Sequence, residues 1–184
     1  MATKNFLKAV QLTAIAVTGA LIIVDVAWAQ QRYPINSTAD GVKSSYVQQH
    51  VIDVGDVTGH QVRILEVHRI HSGGQIVING VKVVEEWDRG FSDYTNGVGP
   101  ARGYGIWMLE DGNKVFLEWH GTAYSVLTAS GSKRGTFHGS TKIMGGTGPF
   151  TKIRGVMTDA IEFDTDPKNG YSQGSNKGEY WFEQ

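Results

Sequence analysis

The 184-residue chain contains no cysteine and no run of lysine or arginine. Without cysteine it has neither a disulfide framework nor thiolate chemistry, so its folded state must depend on a hydrophobic core. Its charges nearly balance, with 17 basic and 18 acidic residues. That balance leaves no electrostatic footprint for nucleic acid or an anionic membrane, and we expect neither as a partner. Phosphate-binding loops and nucleophile elbows are also missing from the sequence.

The N-terminus has the three parts of an export signal. A start with two lysines precedes an apolar run over residues 9–26, which ends at Ala27-Trp28-Ala29. This pattern is typical of a secretory signal peptide. The run is nearly long enough for a membrane anchor, but Asp25 and the small residues favour cleavage after Ala29. We therefore expect residues 1–29 to be removed, leaving a periplasmic or secreted protein without a stable membrane anchor.

The rest of the chain has the sequence pattern of a β-protein. Residues 30–45 are polar and indicate a flexible lead-in, whereas residues 46–184 carry short β-rich runs broken by Gly, Asn and Asp. No window has a convincing helical period. Expected strands cover residues 47–54, 61–71, 76–79, 82–88, 104–110, 114–127, 135–144, 153–163 and 178–182. Antiparallel strands with such short connections predict one all-β domain, a sandwich or an up-and-down barrel.

Residues 144–155 form the most informative segment, a glycine-rich turn followed by an aromatic residue and a strand. Gly145, Gly146 and Gly148 permit a tight left-handed reversal, and Phe150 can plug the end that the turn closes. The spacing GGTG-x-F-x-x-x-x-G resembles the allene oxide cyclase and dirigent families. The alternative is a glycine-rich hairpin in an unrelated β-domain.

Two further segments resemble the same families, although only the turn is specific. The strand over residues 62–70 is similar to the opening strand of allene oxide cyclases, with His68 in place of their asparagine after the Glu-apolar pair. Residues 179–182 are similar to the short aromatic closing strand. The resemblance implies an eight-stranded antiparallel up-and-down β-barrel of the calycin type, often trimeric, so a homotrimer or homodimer is expected.

The resemblance also implies a function. Family members act on small hydrophobic or phenolic molecules in the barrel interior, by cyclisation, isomerisation or a related lyase step, without a metal or organic cofactor. We expect the same here. A non-catalytic, lipocalin-like carrier of a lipid or aromatic ligand is the alternative, and a structural or host-interaction protein is a third possibility.

Glu66 is the first candidate for chemistry, because a carboxylate is out of place among Ile64, Leu65 and Val67 unless it is exposed or functional. Burial in an apolar barrel would raise its pKa and make it an acid or base, whereas an outward face would leave it an ordinary surface residue. His68 shares its face and would be its partner in proton transfer. Further catalytic contacts are predicted at Asp88 and His120.

The remaining candidates are ligand-binding residues: Arg102, Tyr104, Trp107, Glu118, Tyr124 and Phe150. Strand 114–127 has two distinct sides, and the more apolar one is the better core. In that case Glu118 and His120 face solvent or a neighbouring subunit. A trimer with an apolar exterior would exchange the two sides, and the sequence leaves this open.

The sequence also contains residues that are compatible with a metal site or with a glycoside hydrolase site. The histidines at 68, 71, 120 and 138 are enough ligands for a metal, but a strand places His68 and His71 on opposite faces, so no metal site is expected. The acidic cluster over residues 85–88 is compatible with a glycoside hydrolase. Nothing in the sequence places a second carboxylate at the distance that this reaction needs.

Overall fold

A computed structural model describes residues 30–38, 42–72, 75–127, 133–164 and 171–184, and only the backbone of residues 125–127 and 133. The expected signal peptide lies outside these ranges. The strands are β1 (Arg32–Thr38), β2 (Val42–Asp53), β3 (His60–Ile70), β4 (Val77–Ile78), β5 (Val81–Thr95), β6 (Val98–Leu109), β7 (Lys114–Leu127), β8 (Lys133–Gly146), β9 (Ile153–Asp164) and β10 (Tyr171–Phe182). A 3-10 turn at Gly148–Phe150 follows β8. No helix in the described ranges has the length and apolarity to cross a bilayer.

The strands pair antiparallel, and their hydrogen bonds close into a ring. The pairing order is β2, β3, β5, β6, β7, β8, β9 and β10. The ring closes where β10 pairs with the start of β2, through Ser172 opposite Val42. β1 pairs with the remaining length of β10, so β1 and β2 follow one another along one side of that strand. The two long edges of the sheet therefore pair with each other instead of facing solvent.

Tight turns connect the strands where short polar or glycine-containing sequences occur. Asn79 (φ 50°) and Gly80 (φ 82°) join β4 to β5, and this left-handed pair fits the type I′ hairpin that Asn-Gly predicts. Asn96 (φ 52°) and Gly97 (φ 81°) form the same kind of turn between β5 and β6, within the stretch that the expected strands leave unassigned. The glycine-rich segment reverses at Gly148 (φ 54°), between β8 and β9.

A hydrophobic cluster fills one end of the ring. The register brings together the inward residues at that end of β5 to β10, and residues of β1 and the segment around β4 complete the cluster. Phe150 is 1% exposed and belongs to this cluster, as its place after the glycine-rich turn predicts. The phenol of Tyr180 accepts a hydrogen bond from the backbone N–H of Asn79 at 2.8 Å, which ties the β4–β5 hairpin to β10.

The two faces of β7 differ as its apolar pattern predicts. Val115 and Leu117 are buried inside the ring, while Phe116 between them is 38% exposed. Glu118 and His120 share the face of Phe116, because side chains alternate along a strand. The apolar side is therefore the core, and the arrangement with exchanged sides does not occur.

Residues 30–45 differ from the flexible lead-in that their polar composition predicts. They contain β1 and the beginning of β2, and β1 pairs with β10 over its whole length. Ile35 and Ser37 point inward and are buried, whereas their neighbours are exposed. A short alternating segment with one large apolar residue gives a weak strand signal alone, and here the free side of β10 supplies its pairing partner.

Candidate functional site

A central cavity lies inside the ring, between the hydrophobic cluster at one end and a smaller cluster at the other. The smaller cluster contains Tyr94, Ala101 and Ala123, with Trp119 and Phe137 packed against it. The polar lining residues of the central cavity are Ser44, Arg69, His71, Glu86, Asp88, Thr141, Asp159, Asp164, Ser172 and Asn176. Among its aromatic lining residues are Tyr46, Tyr94, Trp107, Trp119, Phe137 and Phe163.

The central cavity is small. Its volume is about 110 Å³, below the roughly 150 Å³ of an engineered apolar cavity that accepts benzene. A ligand fully enclosed in it could therefore be no larger than a single ring. A longer molecule would have to extend beyond the enclosed space.

Glycines on neighbouring strands leave space for the indole of Trp119, which lines the central cavity. A Cβ at Gly90 would lie 2.5 Å from the six-membered ring of Trp119, closer than real Cβ contacts allow. The indole therefore occupies space that a side chain at Gly90 or Gly103 would need. The rings of Trp119 and Phe137 make a T-shaped contact with their centroids 5.7 Å apart. This packing holds the indole in one position against the cavity wall.

Arg69 organises the polar side of the cavity. It points inward from β3, on the same face as the buried Val67. Its Nη1 donates to Glu86 Oε1 at 2.9 Å and also to Asp88 Oδ2, both inward side chains of the neighbouring strand β5. A buried guanidinium requires such partners, and two carboxylates on the adjacent strand provide them.

Glu86 is held in its charged form by this arrangement. Burial alone would raise the pKa of Glu86, but the charge of Arg69 and the hydrogen bond and charge of His71 outweigh burial and lower the pKa to about 2. The His71 contact joins Nε2 to Glu86 Oε2 at 3.2 Å. Since a carboxylate only accepts, Nε2 carries a hydrogen in either form of the ring. In the neutral ring Nδ1 then carries a lone pair, whereas in the charged ring it carries a second hydrogen. Nδ1 is buried without a hydrogen-bond partner among the described residues.

The pKa of Asp159 is shifted in the opposite direction to that of Glu86. Asp159 points inward from β9 and is 6% exposed, and its Oδ2 accepts a hydrogen bond from Thr141 Oγ1 at 2.7 Å. Burial is the main cause that raises the pKa of Asp159 to about 6, and the charge of Glu86 adds to it. The Thr141 hydrogen bond and the charge of Arg69 oppose the rise without cancelling it. Within the described ranges no lysine or arginine forms an ion pair with this carboxyl group.

Two phenols lie at the other side of the cavity. Burial raises the pKa of Tyr46 and of Tyr94, so both groups stay protonated at neutral pH and can donate hydrogen bonds. The guanidinium of Arg63 lies over the Tyr94 ring at 5.3 Å from its centroid. The cavity therefore combines aromatic walls, two phenol groups and carboxyl groups with widely separated pKa values.

Glu66 and His68 lie on the outer face of β3, opposite to the residues that line the cavity. Glu66 accepts from Arg89 Nη2 at 2.7 Å and from Gln48 Nε2 at 3.0 Å. The His68 ring stacks on Trp87 with centroids 4.1 Å apart. Of the two orientations considered from the sequence, the outward one is present. Their catalytic roles stay predictions, but a ligand in the central cavity would contact neither side chain.

The other predicted residues divide between the two faces. Asp88 and Trp107 line the central cavity, and Phe150 lies in the hydrophobic cluster at its closed end. The remaining predicted residues share the outward faces of β6 and β7: Arg102, Tyr104, Glu118, His120 and Tyr124. Tyr104 is 68% exposed there. The structure thus brings Asp88 and Trp107 together in the cavity and places these five residues elsewhere.

Sequence reasoning missed the residues that dominate the cavity, Arg69 and Asp159. Asp159 did carry a signal, because it is the one charged residue on the side of β9 that also holds Ile153, Met157 and Ile161. A carboxyl group on an otherwise apolar face is a recognisable exception. Arg69 had no comparable signal, since both faces of β3 mix apolar and charged residues.

A metal centre finds no support in the described part of the chain, where no three histidine or carboxylate side chains are grouped so that they could hold an ion. Comparison of the chain with protein-family models, curated proteins and solved structures finds no match. The central cavity is therefore the feature of this chain whose chemistry can indicate a function.

Proposed function

We propose that the ring of strands is an eight-stranded barrel of the allene oxide cyclase and dirigent type, and that its interior binds a small hydrophobic or aromatic molecule. The pairing order supports this count, because the ring from β2 to β10 contains eight strands and closes where β10 pairs with β2. The bound molecule undergoes a cyclisation, isomerisation or related lyase step that uses proton transfer without a cofactor. The protein acts in the periplasm or outside the cell, as the N-terminal pattern favours, and assembles as a homotrimer or homodimer.

One observation carries the catalytic proposal: two carboxyl groups of the same cavity differ in pKa by several units. Glu86 has a pKa of about 2 and Asp159 of about 6. Environments that separate the pKa values of neighbouring acids are characteristic of acid–base sites. Asp159 is the group that can change protonation near neutral pH, while Glu86 stays charged.

Asp159 is the proposed acid–base group. As a carboxylate it accepts a proton from the bound molecule, and as the acid it returns a proton to another position, so an isomerisation needs no net proton uptake. Thr141 fixes the carboxyl orientation through the 2.7 Å hydrogen bond to Oδ2. The aromatic walls hold the reacting conformer, and such positioning alone can lower a barrier by several kcal/mol.

The size of the cavity favours one of the two ligand classes that the resemblance implies. A volume of about 110 Å³ suits a single ring and is too small to enclose a long fatty acyl chain. The proposed ligand is therefore aromatic, with any longer substituent extending out of the enclosed space.

The first experiment is native mass spectrometry of residues 30–184 purified from the protein's own host, with identification of the released small molecule. Turnover of that molecule is then followed by NMR for the wild type, Asp159→Asn and Glu66→Gln. The proposal predicts that Asp159→Asn, compared at concentrations that saturate binding, loses roughly 10²- to 10⁴-fold in rate, while Glu66→Gln keeps both binding and rate.

Other results would overturn the proposal in distinguishable ways. Loss of turnover in Glu66→Gln alone would move the reaction to the outer face of β3. Binding without turnover in the wild type would indicate a carrier. A protein that is empty and binds nothing from a library of single-ring phenols, single-ring amines and fatty acids would exclude both the enzyme and the carrier.

A further inference from the structure

The charged residues that line the central cavity are predominantly acidic. They are Arg69, Glu86, Asp88, Asp159 and Asp164, one base against four acids. The lining therefore carries a formal charge of −3 with His71 neutral and −2 with His71 protonated. Arg63 lies near the two phenols and adds one further positive charge at that side. At neutral pH the interior stays negative in every one of these combinations.

Asp159 has no countercharge of its own. Arg69 contacts Glu86 and Asp88 directly, and Asp159 receives only the Thr141 hydrogen bond in the described part of the chain. A buried carboxylate without a cationic partner is costly, because burial removes its hydration and nothing replaces it. A positive group on a ligand would supply the missing partner.

His71 offers a second acceptor in the same cavity. Its side chain is 3% exposed and lines the cavity, and Nδ1 has no hydrogen-bond partner among the described residues. With Nε2–H directed to Glu86, Nδ1 of the neutral ring can only accept. The cavity therefore presents a carboxylate without a countercharge and a ring nitrogen without a hydrogen-bond partner, and both are complementary to an N–H donor.

The aromatic residues that line the cavity suit the part of the ligand that carries the N–H donor. Trp119, Phe137, Tyr46 and Tyr94 all line the cavity. Aromatic faces attract cations through the ring quadrupole, most strongly where water is excluded. The same faces pack against an aromatic ring, and the cavity volume of about 110 Å³ limits that ring to one.

From these four observations we infer that the central cavity selects a protonated primary amine carried on a single aromatic ring, with the ammonium group paired with Asp159 and with His71 offering a further acceptor in the same cavity. This inference names the ligand class of the interior site and rests on the proposed function, which requires that the cavity binds a small aromatic molecule. Carboxylate ligands, including fatty acids, are excluded by the negative charge of the lining.

Three probes of nearly equal size and different charge test the inference. Benzylamine, benzyl alcohol and benzoate are titrated into residues 30–184 at pH 7.5 and followed by calorimetry. Benzylamine is expected to bind roughly tenfold or more tightly than benzyl alcohol, since a hydrogen bond to a charged group contributes about 1.5–3 kcal/mol. Benzoate is expected to bind more weakly than benzyl alcohol.

Asp159→Asn should remove the preference for benzylamine and leave the affinity for benzyl alcohol within about twofold. Asp53→Asn is the matched control, because it makes the same change on an exposed residue at the end of β2, and it should keep the preference. If benzyl alcohol binds but benzylamine binds no more tightly, or if benzoate binds best, the inference is wrong while the cavity remains a ligand site. If none of the three binds, both the inference and the proposed function fail.

Discussion

Replacing Asp159 with asparagine should make the ligand-free protein more stable at neutral pH. The folded-state pKa of Asp159 is raised from 3.8 to about 6, so the folded protein binds a proton more tightly than the unfolded chain does. Stability therefore falls as pH rises between these two values, because the folded state must then accommodate a buried charge. Asparagine keeps the shape and the acceptor for Thr141 but never ionises.

The size of the effect follows from the pKa displacement. A displacement of about two pKa units corresponds to about 3 kcal/mol. Well above pH 6, ionisation of Asp159 therefore lowers the free energy of unfolding by about this amount. At pH 4.5 the same relation gives a reduction of only about 1 kcal/mol in the free energy of unfolding. The stability difference between Asp159→Asn and wild type should therefore grow by about 2 kcal/mol from pH 4.5 to pH 8.

Urea denaturation of both proteins at several pH values measures this difference directly, and subtraction removes the contributions of all other titrating groups. Glu118→Gln, on the outer face of β7, is a control whose difference from wild type should not grow in this way. A constant difference for Asp159→Asn across the pH range, or a loss of stability at pH 8, would refute the reasoning that Asp159 is a buried carboxylate without a countercharge.

Three further predictions concern other parts of the fold. Glu86→Gln should destabilise the protein by about 3 kcal/mol at pH 7, since the folded-state pKa of about 2 lies below the ordinary 4.5; denaturation should show this loss shrinking as pH falls from 4.5 towards 2, and a pH-independent loss would contradict it. His60 contacts Asp93 and Asp56 at 2.7 and 2.6 Å, which raises its pKa, so His60→Gln should lower Tm more at pH 5.5 than at pH 9. Equal losses at both pH values would argue against that ion-pair role. Phe150→Ala should cost about 3–5 kcal/mol in urea denaturation because the ring is 1% exposed in the hydrophobic cluster, and a cost below about 1 kcal/mol would show that Phe150 does not close that end of the ring.

Much of the β architecture follows from local sequence. β7 and β9 begin where their alternating patterns begin, and the Asn79-Gly80 hairpin follows from the ability of these residues to adopt positive φ. The core side of β7 is also readable, because one side is clearly more apolar than the other. These features depend on neighbours within a few residues, and therefore the sequence alone indicates them.

The orientation of β3 shows where local sequence is insufficient. One face carries Leu65, Val67 and Arg69, and the other carries Ile64 and Glu66, so apolar content does not distinguish them. The inward face is the one whose charged residue finds partners on β5, at Glu86 and Asp88. Arg69 can be buried because closure of the ring places those carboxylates beside it.

The sequence by itself determined the all-β class, most strand positions, the hairpin turns and the apolar side of β7, because each depends on alternation or on backbone preferences of adjacent residues. The tertiary structure alone decided which polar side chains meet. Asp159 comes into the same cavity as Arg69 and Glu86 only when β8, β9 and β10 complete the ring back to β2. Its pKa depends on that burial, so the raised pKa of Asp159 is a property of the closed ring.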